Sequence, residues 1–184
     1  MGRDEEGLSQ GCLFGKHILI MIFVTVGTHE QPFTRLVEYM DNWAATHDEE
    51  VLIQTGFTPY EPKNCKWQKL FPQKEIYRLN EEARVVITHG GPSCYIDVLR
   101  INKNPIVVPR IHEFGEHIDN HQLDVGREFS KRYGNIILIE DIEKLGEAIE
   151  NYDELSAAMS NKPFVPHSKS FCDALTKIVD NLFE

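Results

Sequence analysis

The sequence predicts an α/β fold, with a parallel sheet covered by helices on both faces. Short, continuously apolar runs alternate with longer stretches whose apolar residues recur every three or four positions. Continuous apolar runs are typical of strands buried on both faces. The chain has 184 residues, of which 41% are hydrophobic, and this is enough for one domain with its own core. Strands that alternate with helices form βαβ units, whose right-handed crossovers place every strand-to-helix loop at the carboxyl edge of the sheet.

The first half of the chain supplies four predicted strands and two predicted helices. Phe33, Leu36, Val37 and Met40 recur at helical spacing directly after Pro32, and proline favours the first turn of a helix. The predicted elements are a strand at Ile18–Val26, a helix from Pro32, a short strand at Val51–Gln54, a weak strand at Lys66–Phe71, a mostly polar helix at Glu75–Ala83 and a strand at Val85–Thr88.

The second half of the chain continues the same alternation. The predicted elements are a helix at Ser93–Ile101, a strand at Ile106–Val108, a helix from Asp119 to Arg132, a strand in "NIILIE", a helix at Ile142–Asn151 and a C-terminal helix at Ser168–Phe183. The apolar residues of the last helix form one stripe, which consists of Phe171, Leu175, Ile178, Val179 and Leu182. Such a stripe suits docking on a partner protein and packing on its own domain equally well.

Charge and composition exclude several functional classes. The net charge of −10 argues against a nucleic-acid-binding surface, although a nucleotide site needs no basic domain because backbone N–H groups bind phosphate. The acidic first segment is unlike a secretory signal, and no apolar run is long enough to cross a bilayer. We therefore expect a cytoplasmic protein with an N-terminal extension at 1–20 and one domain at 21–184. The four scattered cysteines suit a reducing compartment.

Three of the loops that follow the strands carry glycine next to serine, threonine or histidine, and a fourth, long loop carries arginine, histidine, carboxylate and amide residues. The candidate ligand-binding residues are Gly27, Thr28, His29, Gln54, Thr55, Gly56, His89, Gly90, Gly91, Pro92, Ser93, Arg110, Glu116, His121 and Gln122. The helix that Pro92 opens directs its free N–H groups at the crevice beyond the strands, where phosphate is the expected ligand. A plain strand-to-helix turn would use the same Gly-Gly-Pro residues. The agreement of several loops on one edge favours a ligand site.

The motifs of other common site types are absent from the sequence. His112, His117 and His121 do not have a metal-binding spacing, and there is neither HExxH nor an Asp-x-Asp pair, so no metal is expected. The patterns GxxxxGK[ST] and GxGxxG do not occur either. ATPase and NAD-dehydrogenase functions therefore lose their main support.

Five segments occur together in an order that resembles a known family. "MIFVTVGTHEQPF", "IQTG", "ITHGGPSCYIDVL", "PIVVPR" and "GEHIDNHQ" resemble the C-terminal, donor-binding half of GT-B glycosyltransferases of family 28, from Met21 to about Ile142. The pattern is most similar to the small stand-alone subunits of two-part transferases, in asparagine-linked glycosylation and in the PssE-like proteins of capsule and exopolysaccharide assembly. This resemblance implies one Rossmann-like domain, a UDP-sugar donor and no cofactor.

The resemblance also implies partners and a location. The partner is a separate, membrane-anchored transferase subunit that binds a lipid-linked saccharide acceptor, and it would hold the chain at the inner face of the membrane. The expected reaction transfers a hexose or N-acetylhexosamine, with inversion, to a polyprenyl-diphosphate-linked saccharide. One rival function is a non-enzymatic, nucleotide-binding accessory subunit. Another is a UDP-sugar epimerase or hydrolase, which would need a second Rossmann domain.

The resemblance assigns roles to particular residues. The loops that begin at Gly27 and Gln54 fall near the diphosphate, as does the turn Gly90–Ser93. Asp97 falls where the family usually has a glutamate that binds the ribose hydroxyls. His121 and Gln122 match the start of an HQxxNA motif that meets the donor sugar, but here the motif reads "HQLDVG", with Val125 and Gly126 replacing asparagine and alanine.

Two mechanistic expectations complete the sequence-based interpretation. His29 is the expected general base of this chain, because histidine changes its charge near neutral pH, although the partner subunit is an alternative source. Arg110 is our own candidate for electrostatic help near the donor. We expect Gly90 and Gly91 to be small so that the diphosphate reaches backbone N–H groups. The change Gly91→Val should then abolish UDP binding and leave the fold largely intact.

Overall fold

The computed structural model describes residues 21–159 and 168–182. Six parallel strands form one sheet in the order β3-β2-β1-β4-β5-β6. The strands are β1 (Met21–Thr25), β2 (Glu50–Gln54), β3 (Lys66–Gln68), β4 (Val85–His89), β5 (Ile106–Val108) and β6 (Ile137–Leu138). The predicted fold class is confirmed, including the weak strand that forms the β3 edge.

Helices follow the strands and cover both faces of the sheet. They are α1 (Thr34–Ala44), α2 (Gln73–Glu82), α3 (Pro92–Arg100), α4 (His121–Tyr133), α5 (Leu145–Glu150), α6 (Tyr152–Ala158) and α7 (Ser168–Asp180). Two short 3-10 turns lie at His112–Phe114 and Ile142–Lys144.

The core is divided between the two faces because strand side chains alternate. In β1, Ile22 and Val24 join a cluster with α1 and α5, whereas Met21 and Phe23 join a cluster with α2 and α3. Every residue of β1 is buried, as a central strand requires. This two-sided burial explains the unbroken apolar run of β1 in the sequence.

Several predicted boundaries differ from the structure. The helix predicted from Pro32 begins at Thr34, because the carbonyl of Pro32 accepts a hydrogen bond from Arg110 at 3.1 Å. The helix predicted at Ile142–Asn151 is a 3-10 turn followed by α5, and α6 was not predicted. The chain leaves helical geometry at Asn151, whose side chain bonds the carbonyl of Glu147 at 3.0 Å. The predicted residues 18–20 and 183 lie outside the described part of the chain.

The strand order fixes where a ligand can bind. Strand β1 pairs with β2 on one side and with β4 on the other, so consecutive crossovers leave in opposite directions. A crevice opens at such a switch point, outside the carboxyl ends of the strands. The loops after β1 and β4 therefore form the walls of the expected site.

Candidate functional site

A cavity of about 550 Å³ opens at the carboxyl ends of β1 and β4. Its volume lies within the range of small-molecule sites, which is roughly 300–1,000 Å³. The lining residues come from the β1–α1 loop, the end of β2, the start and one face of α2, the β4–α3 turn and α4. They are Thr25, Gly27, Thr28, His29, Gln54, Phe71, Gln73, Ile76, Asn80, His89, Ser93, Cys94, Asp97 and Gln122.

The β1–α1 loop (residues 26–33) turns sharply at its start. Gly27 has a φ of +76°, which favours glycine, and its N–H donates to the hydroxyl of Thr25 at 3.2 Å. Thr28 follows as an exposed residue on the cavity wall. The turn therefore presents a hydroxyl and a backbone without a side chain to the cavity.

Gln54 ties this loop to the far wall of the cavity. Its amide donates to the Thr25 hydroxyl at 3.2 Å and to the Gly27 carbonyl at 3.1 Å. Its side-chain oxygen accepts the N–H of Phe71 at 3.1 Å. With all these bonds made inside the protein, Gln54 positions the wall as well as lining it.

His89 is wedged between the β1–α1 loop and the β4–α3 turn. Its Nδ1 accepts the N–H of Gly91 at 3.0 Å, and its Nε2 lies 3.2 Å from the sulfur of Cys94. Burial, reinforced by the charge of Arg110, lowers the pKa of His89 to about 4. The ring is therefore neutral at pH 7, with its proton on Nε2. Burial also raises the pKa of the Cys94 thiol, which remains protonated.

The glycines of the β4–α3 turn make room for protein neighbours, which is a different reason from the expected approach of a diphosphate. The Gly91 N–H is bound to His89, and a Cβ on Gly91 would lie 2.2 Å from His89 Cε1. A Cβ on Gly90 would lie 2.8 Å from the Cβ of Gln122. The two glycines are thus required by protein neighbours, and neither they nor Pro92 line the cavity. Ser93 does line it, and no described side chain caps the N-terminus of α3.

Arg110 lies behind the β1–α1 loop and not in the cavity. It is fully buried and donates to four carbonyl oxygens, those of Val26, Gln31, Pro32 and Glu116, at 2.8 to 3.1 Å. Its guanidinium also stacks over the ring of Phe33, 4.7 Å from the centroid. Burial lowers the pKa of Arg110 to about 10, so it stays charged at pH 7. Arg110 therefore holds the loop in place.

Glu116 is also taken up by contacts within the protein. Its two carboxylate oxygens each accept from Arg35 at 2.9 Å, and one of them also accepts the N–H of Ile111 at 3.0 Å. The side chain is nearly fully buried. Glu116 is thus not available to a ligand in the cavity. Arg35, Arg110 and Glu116 together leave one net positive charge beneath the site.

Thr55 and Gly56 face a different cavity. The β2–β3 connection carries them to a second, smaller depression of about 270 Å³, which also contains Phe57 and Trp67. Their N–H groups donate to the carbonyls of Gln68 and Lys69 at 3.0 and 2.9 Å. The structure therefore does not bring these two candidates together with the others.

Of the remaining candidates, two line the cavity and one does not. Gln122 is buried at the cavity wall, and its side-chain oxygen accepts the N–H of Arg110 at 3.2 Å. His121 is exposed and lies outside the lining. Asp97 lines the cavity and pairs with Arg100 at 2.8 Å.

His29 lines the cavity next to a second histidine from the β5–α4 loop. Its Nδ1 accepts the N–H of Gln31 at 3.2 Å. Its ring centroid lies 5.0 Å from that of His117. His117 in turn places Nδ1 3.0 Å from a carboxylate oxygen of Asp119. Within the described residues, no three His, Cys, Asp or Glu side chains are grouped in a way that could hold a metal ion.

Sequence reasoning missed one entire wall of the cavity. The missed lining residues are Thr25, Phe71, Gln73, Ile76, Asn80 and Cys94. Asn80 is buried, and its side-chain oxygen has no hydrogen-bond partner among the described residues. An asparagine four residues after Ile76, on the apolar side of a mostly polar helix, was the available signal.

Comparisons with known proteins agree with this architecture. The family model described as "Glycosyltransferase family 28 C-terminal domain" matches residues 21–179. The UDP-N-acetylglucosamine transferase subunit ALG13 of Yarrowia lipolytica is 35% identical over 65 residues, which cover 35% of this chain and 30% of that protein. The solved structure of the glycotransferase of kitacinnamycin superposes with a TM-score of 0.57 at 18% identity, over 85% of this chain and 39% of the other. The chain therefore spans less than half the length of these relatives. In the described part of the chain, no helix has the length and apolarity needed to cross a bilayer.

Proposed function

Because the chain belongs to glycosyltransferase family 28, we propose that it is the donor-binding, catalytic subunit of a two-component inverting glycosyltransferase. In this proposal it moves a hexose or N-acetylhexosamine from a UDP-sugar to a polyprenyl-diphosphate-linked saccharide. The observation that carries the proposal is the cavity at the β1/β4 switch point, whose size and lining suit a nucleotide sugar.

One end of the cavity suits a diphosphate. Thr28 supplies a hydroxyl, and Ser93 lies at the start of α3, where no described side chain occupies the helix end. A helix N-terminus binds anions through free N–H groups and a favourable dipole. The same partial charge would stabilise the negative charge that develops on the departing UDP, without a metal ion.

Buried charge reinforces the diphosphate end. The chain as a whole is acidic, yet Arg35 and Arg110 place two guanidinium groups behind the β1–α1 loop, where Glu116 is the carboxylate that pairs with Arg35. Their field reaches the cavity wall, since the Arg110 charge helps to lower the pKa of His89. Electrostatic help from Arg110 is thus proposed to act through the loop and not by contact.

The opposite end of the cavity suits a nucleoside. Phe71 and Ile76 provide apolar surface, and Asn80 provides a buried amide with an unpaired oxygen. A flat heterocycle with polar edges fits such a wall. Asp97 also lines the cavity. From the family resemblance, it is proposed to bind the ribose hydroxyls of the nucleoside.

The partner subunit is proposed from the relative's name and from α7. The curated relative is itself called a subunit of a UDP-N-acetylglucosamine transferase, which makes UDP-N-acetylglucosamine the first donor to test. The predicted apolar stripe is exposed in α7 and in the turn that follows it, with Phe171, Ile178 and Leu182 at 66%, 59% and 74% exposure. This exposure favours docking on a membrane-anchored partner. The use of the lipid-linked saccharide, in a capsule polysaccharide or in an asparagine-linked glycan, remains a prediction.

Calorimetric titration with UDP tests the donor site. The change Ser93→Asp adds a negative charge at the start of α3, where it stabilises the helix but repels a diphosphate. We expect UDP affinity to fall about tenfold or more, with thermal stability unchanged or raised. The matched control Asn42→Asp adds the same charge at an exposed position of α1 and should leave UDP affinity unchanged. Equal affinities in all three proteins would contradict the proposed site.

Transfer assays separate the catalytic subunit from an accessory subunit. Sugar transfer from UDP-N-acetylglucosamine is measured with the chain, with its partner and with both together. A catalytic donor subunit should lose turnover in the Ser93→Asp variant in proportion to UDP binding. An accessory subunit would support undiminished turnover by the partner when this site is disabled.

A further inference from the structure

One polar side chain in the cavity wall is buried without a partner. Within residues 21–159 and 168–182, seven buried side-chain polar atoms lack a hydrogen bond, and of these only the amide oxygen of Asn80 belongs to the cavity lining. The residue is 4% exposed. Burial of a polar group without a hydrogen bond costs free energy, so an atom in this state calls for an explanation.

The other buried polar side chains of the lining are bonded within the protein. Gln54 donates to the hydroxyl of Thr25 at 3.2 Å, and the side-chain oxygen of Gln122 accepts the N–H of Arg110 at 3.2 Å. These residues give the cavity its shape, and the atoms named are used in doing so. Asn80 is the exception, because its oxygen remains free to accept a hydrogen bond from a ligand.

The backbone at Asn80 is held firmly. Nζ of Lys103 donates to the carbonyl oxygens of Asn80, Glu81 and Ala83 at 2.8, 2.6 and 2.6 Å, and so satisfies groups that the end of a helix leaves free. The neighbouring Leu79 is buried in the core. The position of Asn80 is thus fixed before a ligand arrives. Its amide keeps one soft rotation, about the Cβ–Cγ bond, which can turn the oxygen towards the cavity.

Helix α2 places this amide deep in an apolar part of the cavity. Gln73, Ile76 and Asn80 recur at helical spacing and all line the cavity. Asn80 lies seven residues after Gln73, which is about 10 Å along the helix axis from the carboxyl edge where α2 begins. Phe71 and Ile76 share this lining and pack against a core cluster. A hydrogen bond formed in such surroundings is strong, because little water competes for it.

We propose that Asn80 recognises the base of the donor nucleotide, by accepting the N3–H of uracil at its amide oxygen and donating its NH₂ group to an adjacent uracil carbonyl. This inference rests on the proposed donor site and names the residue that selects the nucleotide there. A carboxamide presents an acceptor beside a donor, and the imide edge of uracil presents a donor between two acceptors. A site built around such a pair rejects ligands that cannot complete it, because its buried groups are then left unpaired.

Calorimetric titration of the full chain with two nucleotides tests the hydrogen bond. In N3-methyl-UDP, a methyl group replaces the hydrogen that Asn80 would accept. We expect the wild-type chain to bind N3-methyl-UDP about tenfold or more weakly than UDP. Equal affinities of the wild-type chain for the two nucleotides would overturn the inference.

The variant Asn80→Ala shows whether the methyl group meets Asn80 itself. The variant removes the amide and opens room for the methyl group, so UDP affinity should fall about tenfold and the two nucleotides should bind within about threefold of each other. The matched control Asn42→Ala removes an exposed amide from α1 and should keep the wild-type preference for UDP. A preference that persists in Asn80→Ala would show that another group recognises the base.

A third nucleotide, 2′-deoxy-UDP, separates the base from the ribose as the group that Asn80 contacts. It keeps the imide edge and lacks one ribose hydroxyl. The loss of affinity on going from UDP to 2′-deoxy-UDP should therefore be the same in the wild-type chain and in Asn80→Ala. A loss that disappears in Asn80→Ala would assign the amide to the ribose and overturn its assignment to the base.

Thermal unfolding without a ligand separates a ligand-binding amide from a structural one. Asn80→Leu replaces an unpaired amide by an apolar side chain of similar size, so the midpoint of unfolding should rise by roughly 2–4 °C. A structural amide would give the opposite sign. A lower midpoint in Asn80→Leu would show that the amide has a partner in the free protein, and would overturn the inference.

The proposed function and this inference fail by different results. A wild-type chain that does not bind UDP at all would overturn the donor site, and the role of Asn80 with it. A wild-type chain that binds UDP without a preference over N3-methyl-UDP would overturn the role of Asn80 alone.

Discussion

The β1–α1 loop has a cavity side and a support side, and the two sides are built from different chemistry. On the cavity side, Thr28 and Ser93 are exposed and small. On the support side, Gln54, Arg110 and Glu116 are buried, and most of their polar atoms are bonded within the protein. The loop is thus held in shape by the protein alone, before any ligand arrives.

This contrast teaches that residues of one motif can have opposite tasks. In "PIVVPR" and "GEHIDNHQ", Arg110 and Glu116 are supports, whereas Gln122 is both a support and part of the wall. In "ITHGGPSCYIDVL", Gly91 accommodates His89, whereas Ser93 meets the cavity. Changes on the support side should therefore alter stability first, and changes on the cavity side should alter binding alone, as expected for Ser93→Asp.

The largest effect is expected from Arg110→Met. The variant removes the hydrogen-bond donor of four carbonyl oxygens and leaves Glu116 with fewer positive neighbours. Breaking a buried charged network of this kind costs roughly 3–5 kcal/mol. The free energy of unfolding in urea measures the loss. Arg127→Met, which breaks the exposed pair with Glu140, is the control and should cost no more than about 1 kcal/mol. Equal losses of unfolding free energy in Arg110→Met and Arg127→Met would contradict the stabilising role given to the support side of the loop.

A smaller effect is expected from pH, through His89. Its pKa of about 4 in the folded chain is below the value near 6.5 of an unfolded histidine. Above pH 6.5 both states are neutral at this residue. Between pH 6.5 and 4 only the unfolded state gains the proton, so stability falls with pH by about 3 kcal/mol. Unfolding curves of wild type and His89→Gln between pH 7 and 4 measure this difference. Parallel pH dependences would show that His89 is not the wedge that we describe.

The smallest support-side effect is expected from Gly91→Ala, which places a methyl group against the His89 ring. Overpacking of this size costs roughly 1–3 kcal/mol, and the displaced ring should weaken UDP binding too. The cost should shrink when the ring is absent, so Gly91→Ala is measured in wild type and in His89→Ala. Equal costs in both backgrounds would contradict the contact.

Most of the sheet could be predicted from the sequence because parallel strands that are buried on both faces appear as continuous apolar runs. The runs that became β1 and β4 are continuously apolar, and their register places both carboxyl ends at one edge. The division at Asn151 was missed because hydrophobic periodicity does not report local bonds such as the one from the Asn151 side chain to the carbonyl of Glu147.

The candidate site was predicted less well, for a physical reason. A glycine-rich loop shows that space is needed, but it does not show whether a ligand or a side chain fills that space. At Gly91 the occupant is His89, and beside Gly56 it is Val26, whose methyl carbon would lie 2.9 Å from an added Cβ. Buried arginine is equally ambiguous, because charge alone gave no sign that Arg110 faces carbonyls and not phosphate.

The position of the His89 ring against Gly91 restricts which substitutions this chain can accept during evolution. Gly27 has a left-handed backbone, so this position should remain glycine whatever residue stands at 89. Gly91 has an ordinary φ of −71°, and the nearest atoms that an added Cβ would meet there all belong to the imidazole ring of His89. Among descendants of a common ancestor, positions 89 and 91 should therefore change together, with a larger residue at 91 tolerated only where the residue at 89 has become smaller.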